Sequence, residues 1–313
     1  MTTDNRMKQY FLFATAAIAF AACSNDDVTT PSDGEVTLRV NAAISGTATR
    51  ASGTEWAKND QIGISTVEGT ATSYTNVPYT WDGNDNFVPD NENIYFQSAE
   101  TVTFRAYYPY KADATYTDVN TSAENQSAAN QPKIDFLYAE GATASKNNPT
   151  VDFTDDNAFT HRMSQITIRF TEGRDMDFDG LLTGYTLSGL TLTGSFDTAT
   201  GVAAATGTKP EPLAITLSDV TATNKVYTAA PVIVFPQEVE NGKIAFSVTV
   251  DGQPYHATLT LPDTDDNGEK DKELKPGYNY LFPVKVSKTE LTVGDADITD
   301  WETVTGDEST AIM

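Results

Sequence analysis

The chain has few of the residues that build disulfides and metal centres. Its 313 residues include one cysteine, Cys23, and two histidines, His161 and His256. A single cysteine excludes an intramolecular disulfide and a cysteine-based zinc site, and two histidines are too few for a histidine-rich metal site. The sequence also lacks GxSxG, phosphate-loop and HExxH motifs. We therefore predict a protein that is not an enzyme and that binds no cofactor.

Basic residues are also scarce. The chain has 20 Lys and Arg against 44 Asp and Glu, which gives a formal net charge of −24. Binding to nucleic acid or to an anionic membrane surface needs clustered cations, so this balance argues against both. The charge is instead typical of a soluble extracellular surface whose molecules repel one another.

Long helix-forming runs are absent, and short alternating stretches rich in threonine, valine, tyrosine and phenylalanine recur between turn residues. Such stretches are typical of β-sandwiches rather than of parallel α/β folds. The length suits two domains of about 130 residues each. We predict an all-β protein with one domain over residues 35–172 and a second over 173–313, divided at the acidic run that starts at Glu172.

One long apolar run is present, and it lies at the N-terminus. It spans residues 10–22, follows an arginine and a lysine, and ends in small residues, which is the layout of a secretory signal peptide. A transmembrane helix needs about 20 apolar residues, so this run is too short to be one. We predict a signal peptide over residues 1–22, with translation starting at Met1 or at Met7.

The sequence at Cys23 resembles the lipobox of bacterial lipoproteins, in which signal cleavage leaves a cysteine at the new N-terminus to be acylated. Phe20-Ala21-Ala22 precedes the cysteine. We therefore predict lipidation of Cys23, which would hold the protein at a membrane. Residues 23–34 then form an acidic tether. Its Ser24–Asp27 start looks like the tag that sends some Gram-negative lipoproteins to the outer face of the outer membrane, although a plain polar linker explains the same composition.

Residues 35–45 alternate strictly between apolar and polar side chains, which predicts a half-buried strand. The inward row of this first strand is Val36, Leu38, Val40, Ala42 and Ile44. The small and polar residues 46–53 follow, and they contain Arg50 and Ala51. A loop of this composition is open to a protease.

In their order and spacing, these features resemble the fimbrillin-like family, which builds type V pili on Gram-negative outer membranes. The landmarks are the lipobox at Cys23, the strand before Thr49-Arg50-Ala51, Trp56–Ile64, Phe104–Tyr110, Phe159–Ser164 and Ile298–Trp301. The resemblance implies two tandem transthyretin-like, Greek-key β-sandwich domains. It also implies a structural or adhesive subunit of a cell-surface fimbria, whose partners are other pilus subunits, the outer membrane and a maturation protease.

The resemblance further implies assembly by donor-strand exchange. In the family, a protease cuts after an arginine, the first strand leaves, and the C-terminal strand of another subunit fills the groove. Arg50 stands at the matching position, so the cut falls between Arg50 and Ala51, unless Arg50 is an ordinary loop arginine. The tail after Trp301 is short and polar, unlike a donor strand. Either the donor is Leu291–Val304, or the subunit receives a strand and donates none.

A calcium loop is the one metal site that the sequence suggests. Asp263, Asp265 and Asn267, followed by a glycine, fit its start, because alternate oxygen ligands allow the chain to wrap the ion. The closing position holds Leu274, however, and we predict no metal site. The other interpretation is a solvated hairpin between strands at residues 255–261 and 278–286.

The remaining candidates are aromatic. His161 lies among apolar residues, which predicts a structural, hydrogen-bonded histidine. Trp56, Trp81 and Trp301 are interpreted as packing residues, but two tryptophans on one exposed face would stack on sugars. A surface-exposed carbohydrate-binding lipoprotein is therefore the alternative function.

Overall fold

The computed structural model describes residues 35–45, 55–67, 72–84, 86–208, 210–263, 270–288 and 290–301. Over these ranges the protein is all-β, which confirms the predicted fold class. The helices within them are 3₁₀ turns of three residues, at Ala123–Asn125, Gln131–Lys133, Asp155–Asn157 and Glu240–Gly242. No helix in this part of the chain is long and apolar enough to cross a membrane.

The described residues form 23 strands. In chain order these are β1 (Arg39–Ala42), β2 (Gln61–Thr66), β3 (Val77–Trp81), β4 (Phe87–Pro89), β5 (Val102–Tyr108), β6 (Thr115–Asn120), β7 (Leu137–Ala144), β8 (Thr150–Phe153), β9 (Thr160–His161), β10 (Ser164–Glu172), β11 (Leu182–Leu190), β12 (Thr193–Asp197), β13 (Val202–Ala205), β14 (Glu211–Thr216), β15 (Val226–Thr228), β16 (Val232–Val234), β17 (Gln237–Glu238), β18 (Lys243–Val250), β19 (Gln253–Thr260), β20 (Glu273–Leu274), β21 (Tyr278–Ser287), β22 (Glu290–Val293) and β23 (Asp297–Asp300). The predicted signal peptide and tether lie outside the described residues, and so do Arg50 and Ala51.

Eight strands of the N-terminal half form one sheet, in the order β8-β1-β4-β3-β2-β5-β7-β9. Along its strands, buried side chains alternate with more exposed ones. In β5, for example, Val102, Phe104 and Ala106 are buried, and the residues between them are half-buried. The buried side chains of the sheet form one hydrophobic cluster. Each large apolar side chain contributes roughly 1.5–3 kcal/mol when it is fully buried, so this inner face stabilises the sheet.

Two sheets of the C-terminal half enclose a second cluster. One has the order β15-β10-β21-β22, with β16 also on β10 and β23 also on β21, and the other has the order β14-β11-β18-β19. The ring of Phe170 in β10 lies 5.9 Å from that of Tyr185 in β11 and 6.4 Å from that of Phe246 in β18. These contacts join the two sheets face to face, as in a β-sandwich.

A parallel pair of strands lies at the centre of the first of these sheets. β10 and β21 run side by side from Gln165 opposite Asn279 to Glu172 opposite Val286. Both strands are buried along most of their length. Parallel strands are covered on both faces, and in β10 this burial extends to the polar side chains of Ser164, Gln165 and Thr167.

This parallel pairing shows that the hairpin predicted between residues 255–261 and 278–286 is wrong. β19 pairs with β18 instead. β21 has β10 along one edge and β22 and β23 along the other. Because each edge of a strand carries one ladder of hydrogen bonds, β21 has no edge left for β19.

A third cluster contains residues of both halves. Phe136 stacks on Phe196 with the ring centroids 4.5 Å apart, and β6 pairs with β12. β10, which ends at the predicted domain boundary, finds its partners among β15, β16 and β21, which all follow it in the sequence. The division between residues 172 and 173 and the transthyretin-like topology stay predictions.

The centre of β21 provides a test of the C-terminal core. Phe282 lies opposite Ile168 and is fully buried. Replacing Phe282 with alanine leaves a cavity, so we expect the free energy of unfolding to fall by about 3–5 kcal/mol. Val202→Ala is the control, because that side chain is 56% exposed, and it should change stability by less than about 0.5 kcal/mol. Urea denaturation measures both, and equal losses would contradict this core.

Candidate functional site: the first strand and its groove

The first segment of the described chain, residues 35–45, lies inside the N-terminal sheet. Its regular part, β1, runs parallel to β8, with Arg39 opposite Thr150 and Ala42 opposite Phe153. On its other side β1 runs antiparallel to β4, with Val40 opposite Phe87. The segment therefore has a neighbouring strand on each side, and it is not an edge of the sheet.

Hydrogen bonds extend this pairing beyond the four residues of β1. At the N-terminal end, the Leu38 N–H donates to the Ile94 carbonyl (2.9 Å), and the Phe96 N–H donates to the Val36 carbonyl (3.0 Å). At the C-terminal end, the Ser45 N–H donates to the Phe159 carbonyl (2.7 Å). Most of the predicted strand is thus paired, although only residues 39–42 have regular strand geometry.

The five residues of the predicted inward row all contribute to the N-terminal hydrophobic cluster. Leu38, Val40 and Ile44 are 4%, 2% and 9% exposed, and Val36 and Ala42 are half-buried. We call the space that residues 35–45 fill, between β8 on one side and β4 with residues 94–96 on the other, the first-strand groove. If the segment left, the groove would expose apolar side chains and unpaired backbone groups together.

Trp56 also contacts the first segment, a contact that the sequence pattern does not predict. Its indole N–H donates to the Ala42 carbonyl at 3.0 Å. The ring packs edge-on against Phe87, Tyr108 and Phe159, with centroids 5.0, 5.6 and 5.2 Å away. A hydrogen bond between an indole and a backbone carbonyl 14 residues away has no signature in the sequence.

A tight turn after Trp56 fixes the position of its ring. The Ala57 N–H donates to an Asp60 carboxylate oxygen at 2.8 Å, and the Asp60 N–H donates back to the Ala57 carbonyl at 3.0 Å. Burial raises the pKa of Asp60. Burial and the neighbouring Asp60 charge raise the pKa of Tyr108, so its phenol stays protonated and donates to Asp60 at 3.1 Å.

The three tryptophans pack against other aromatic side chains. Trp56 and Trp81 are half-buried, and Trp81 lies 5.2 Å from Phe87 between ring centroids. Trp301 is 3% exposed and stacks on His161, with the rings 4.1 Å apart and nearly parallel. None of the three is fully exposed in the described structure, which counts against the carbohydrate-binding alternative.

His161 is buried and hydrogen-bonded, which confirms the structural role predicted for it. Its Nδ1 lies 2.9 Å from a carboxylate oxygen of Asp135, and both side chains are almost fully buried. The pair lies at the end of β9, next to the stacked ring of Trp301. His161 therefore helps to anchor the end of the C-terminal strand β23.

The predicted donor stretch, Leu291–Val304, is paired within its own molecule as far as the structure describes it. β22 and β23 both pair with β21. Leu291 is buried, and the Trp301 N–H donates to the Gly277 carbonyl at 2.9 Å. Residues 302–313 lie outside the described residues. Donation by this stretch would therefore require these contacts to break.

Only one of the three candidate calcium ligands lies among the described residues. Asp263 follows β19 and is half-buried, but Asp265 and Asn267 lie outside the described residues. Another acidic trio, Glu172, Asp177 and Asp179, brings its oxygens close together. Each of these three carboxylates accepts a backbone N–H at 2.8–2.9 Å, so they stabilise the loop after β10.

A family model described as fimbrillin-like matches residues 49–301. Since this match covers most of the chain, the protein belongs to the fimbrillin-like family. Family membership supports a role as a pilus subunit at a cell-surface fimbrium. No curated protein sequence matches the chain.

Solved structures of two Bacteroides proteins show the same fold. A candidate cell adhesion protein from Bacteroides ovatus is 25% identical, with a TM-score of 0.69 over 87% of this chain and 99% of that one. A candidate cell adhesion protein from Bacteroides uniformis is also 25% identical, with a TM-score of 0.63 over 86% and 100% of the two chains. The tip fimbrial protein Mfa3 from Porphyromonas gingivalis is 12% identical, with a TM-score of 0.47 over 85% and 100%.

Two neighbouring residues of β1 test its place in the sheet. Val40 is 2% exposed, whereas Arg39 is exposed to solvent. Val40→Asp would bury an unpaired carboxylate, so we expect the free energy of unfolding to fall by about 3 kcal/mol or more. Arg39→Asp introduces the same side chain on the outer face and should cost less than about 1 kcal/mol. Urea denaturation distinguishes the two, and a small loss for both would place β1 outside the core.

The buried pair of His161 and Asp135 makes a separate prediction. His161→Leu leaves the Asp135 carboxylate buried without its partner, so we expect stability to fall by about 3–5 kcal/mol. Replacing both residues with leucine removes the unpaired charge and should recover much of this loss. Thermal and urea denaturation of the double variant and of the single variants His161→Leu and Asp135→Leu measure the difference. A double variant as unstable as the sum of the single variants would show that the pair is not coupled.

Proposed function

We propose that the chain is exported as a lipoprotein and becomes a pilus subunit by donor-strand exchange. Acylated Cys23 holds the precursor on the outer membrane, a protease cuts between Arg50 and Ala51, and residues 35–45 leave the sheet. A strand of another subunit then fills the first-strand groove. The observation that carries the proposal is the position of residues 35–45, which are paired between β8 and β4 with Leu38 and Val40 buried.

The physics of the first-strand groove supports this exchange. The 11-residue segment 35–45 would leave a slot roughly 35 Å long, at about 3.3 Å per residue of extended chain. The slot would present unpaired backbone groups of β8, β4, Ile94 and Phe96 beside apolar side chains. An incoming strand restores both the hydrogen bonds and the buried apolar surface.

The position of the predicted cut also supports the proposal. Arg50 lies between Ser45, the last described residue of the first segment, and Glu55, where the described chain resumes. A cut there would separate the first segment from the rest of the sheet without touching a described strand. A paired strand is a poor protease substrate, because its backbone is already hydrogen-bonded, whereas small and polar loops are preferred sites.

The proposal concerns the receiving half of the exchange. The described part of Leu291–Val304 is paired with β21 in its own molecule, so donation from it would need a second displacement. A subunit that receives a strand and donates none can still belong to a pilus. It would then stand at one end of the pilus.

N-terminal sequencing of material sheared from the surface of the source bacterium tests the proposal. We expect the sheared protein to start at Ala51. Arg50→Ala should leave the protein uncut and absent from the sheared fraction, because an arginine-specific protease has no residue to recognise. Arg39→Ala is the matched control: Arg39 lies in the paired strand β1, and its replacement should leave processing unchanged.

The opposite result is a membrane-retained protein. If surface material from the wild type keeps acylated Cys23 and does not start at Ala51, strand exchange triggered by a cut at Arg50 is contradicted. The chain would then act as an anchor subunit or as another kind of surface lipoprotein.

A further inference from the structure

Trp56 takes over a backbone-pairing position in the first-strand groove. β4 pairs with β1 at Val40, opposite Phe87, and the regular part of β4 begins at that residue. Two residues further along β1, the partner of the Ala42 carbonyl is the indole N–H of Trp56, at 3.0 Å. A side chain therefore supplies the donor where the neighbouring strand has ended.

The direction of the backbone bonds agrees with this assignment. Val36 and Leu38 exchange hydrogen bonds with residues 94–96, on the β4 side of the segment. Arg39 and Ala43 donate to carbonyls on the β8 side. Backbone groups alternate in direction along a strand, so the carbonyl of an even-numbered residue such as Ala42 faces the β4 side, where Trp56 stands.

The side chain at this position is the smallest of the inward row. The row is Val36, Leu38, Val40, Ala42 and Ile44, and the alanine coincides with the residue that Trp56 contacts. The indole packs on three aromatic rings of the cluster against which Ala42 also packs, and its N–H reaches the carbonyl of that alanine. A larger side chain here would overpack the groove.

Trp56 stays with the body of the protein when the first segment leaves, because it follows Arg50 in the sequence. Its contacts with Phe87, Tyr108 and Phe159 do not involve residues 35–45. The turn between Ala57 and Asp60 also remains. The indole N–H would therefore keep its position and lose its partner.

We propose that Trp56 is a specificity-determining residue of the first-strand groove, a role that rests on the proposed strand exchange. It donates a hydrogen bond to one backbone carbonyl of the incoming strand and demands a small side chain on that same residue. The partner is thus an extended strand with an inward row of apolar residues interrupted by one small residue.

The small residue sets the register of the strand. A slip by one residue turns the apolar row outward, and the alternating pattern excludes it. A slip by two residues keeps the apolar row inward, so the pattern alone does not exclude it. Such a slip would place the larger residue from the Val40 or Ile44 position beside Trp56, where crowding against the indole would disfavour it.

Peptide exchange into the nicked full-length chain tests the proposal. The chain carries Cys23→Ser, which prevents lipidation and stray disulfides, and it is cut after Arg50 by an arginine-specific protease. Fluorescent peptides of residues 35–45 then compete with the resident strand. We expect the Ala42→Leu peptide to bind about tenfold more weakly than the unmodified peptide, because it overpacks the groove beside Trp56.

The matched control is the neighbouring alanine. Ala43 is exposed, so the Ala43→Leu peptide should bind within about twofold of the unmodified one. In a nicked chain that carries Trp56→Phe, the smaller ring leaves more room. The loss of affinity caused by Ala42→Leu in the peptide should therefore shrink. Trp81→Phe removes another half-buried tryptophan that contacts Phe87, and it should leave the penalty unchanged.

An isostere separates the hydrogen bond from the size of the ring. Replacing Trp56 with 3-benzothienylalanine exchanges the N–H for sulfur and keeps the shape. We expect the unmodified peptide to bind about three- to tenfold more weakly to this variant, since one hydrogen bond is lost, and the Ala42→Leu penalty to persist. This variant also covers the case in which Trp56→Phe does not fold.

Two outcomes overturn different claims. The role of Trp56 is overturned, while strand exchange stands, if the Ala42→Leu and Ala43→Leu peptides bind equally well. It is also overturned if Ala42→Leu weakens binding by the same factor in the wild-type, Trp56→Phe and Trp81→Phe chains. If no peptide enters the nicked wild-type chain, strand exchange itself is contradicted, and the role of Trp56 is overturned with it.

Discussion

The pairing of residues 35–45 between β8 and β4 is the contact on which the N-terminal sheet depends. β8 joins the sheet through β1, and β1 links it to β4 and the strands beyond. The side chains of Leu38, Val40 and Ile44 in this segment are buried in the N-terminal hydrophobic cluster. A short segment at the start of the described chain therefore completes both the hydrogen-bond ladder and the hydrophobic cluster. Its loss would cost backbone and apolar contacts at once.

The C-terminal half is organised around a different pair. β10 and β21, more than 100 residues apart, form a parallel ladder that is buried along most of its length. β22 and β23 pair with the other edge of β21. Trp301 follows β23 and stacks on His161, whose imidazole is held by Asp135. The end of the described chain is thus fixed by contacts with both halves.

In the proposed strand exchange, the functional surface of this protein is mainly backbone. The described residues carry a strand with a partner on each side and a tryptophan that bonds its backbone. Recognition through a strand uses the hydrogen-bonding groups that every residue has, and side-chain size then selects the partner.

The negative net charge of the chain bears on the proposed assembly. A net charge of −24 keeps separate molecules apart in solution. The proposed association must therefore use contacts strong enough to overcome this repulsion, and the burial of a whole strand would be such a contact. The fully buried aromatic residues under the first-strand groove, such as Phe153 and Phe159, supply the apolar surface for it.

The sequence by itself determined the all-β class, the inward row of residues 36–44 and the buried, hydrogen-bonded character of His161. These follow from alternation and local apolar context, which act over a few residues. Only the tertiary structure decided that β21 pairs with β10 and not with β19, and that Trp56 bonds Ala42. Alternation says which face of a strand is buried, but it does not name the neighbouring strand. That choice depends on contacts between distant parts of the chain, as the pairing of β10 with β21 illustrates.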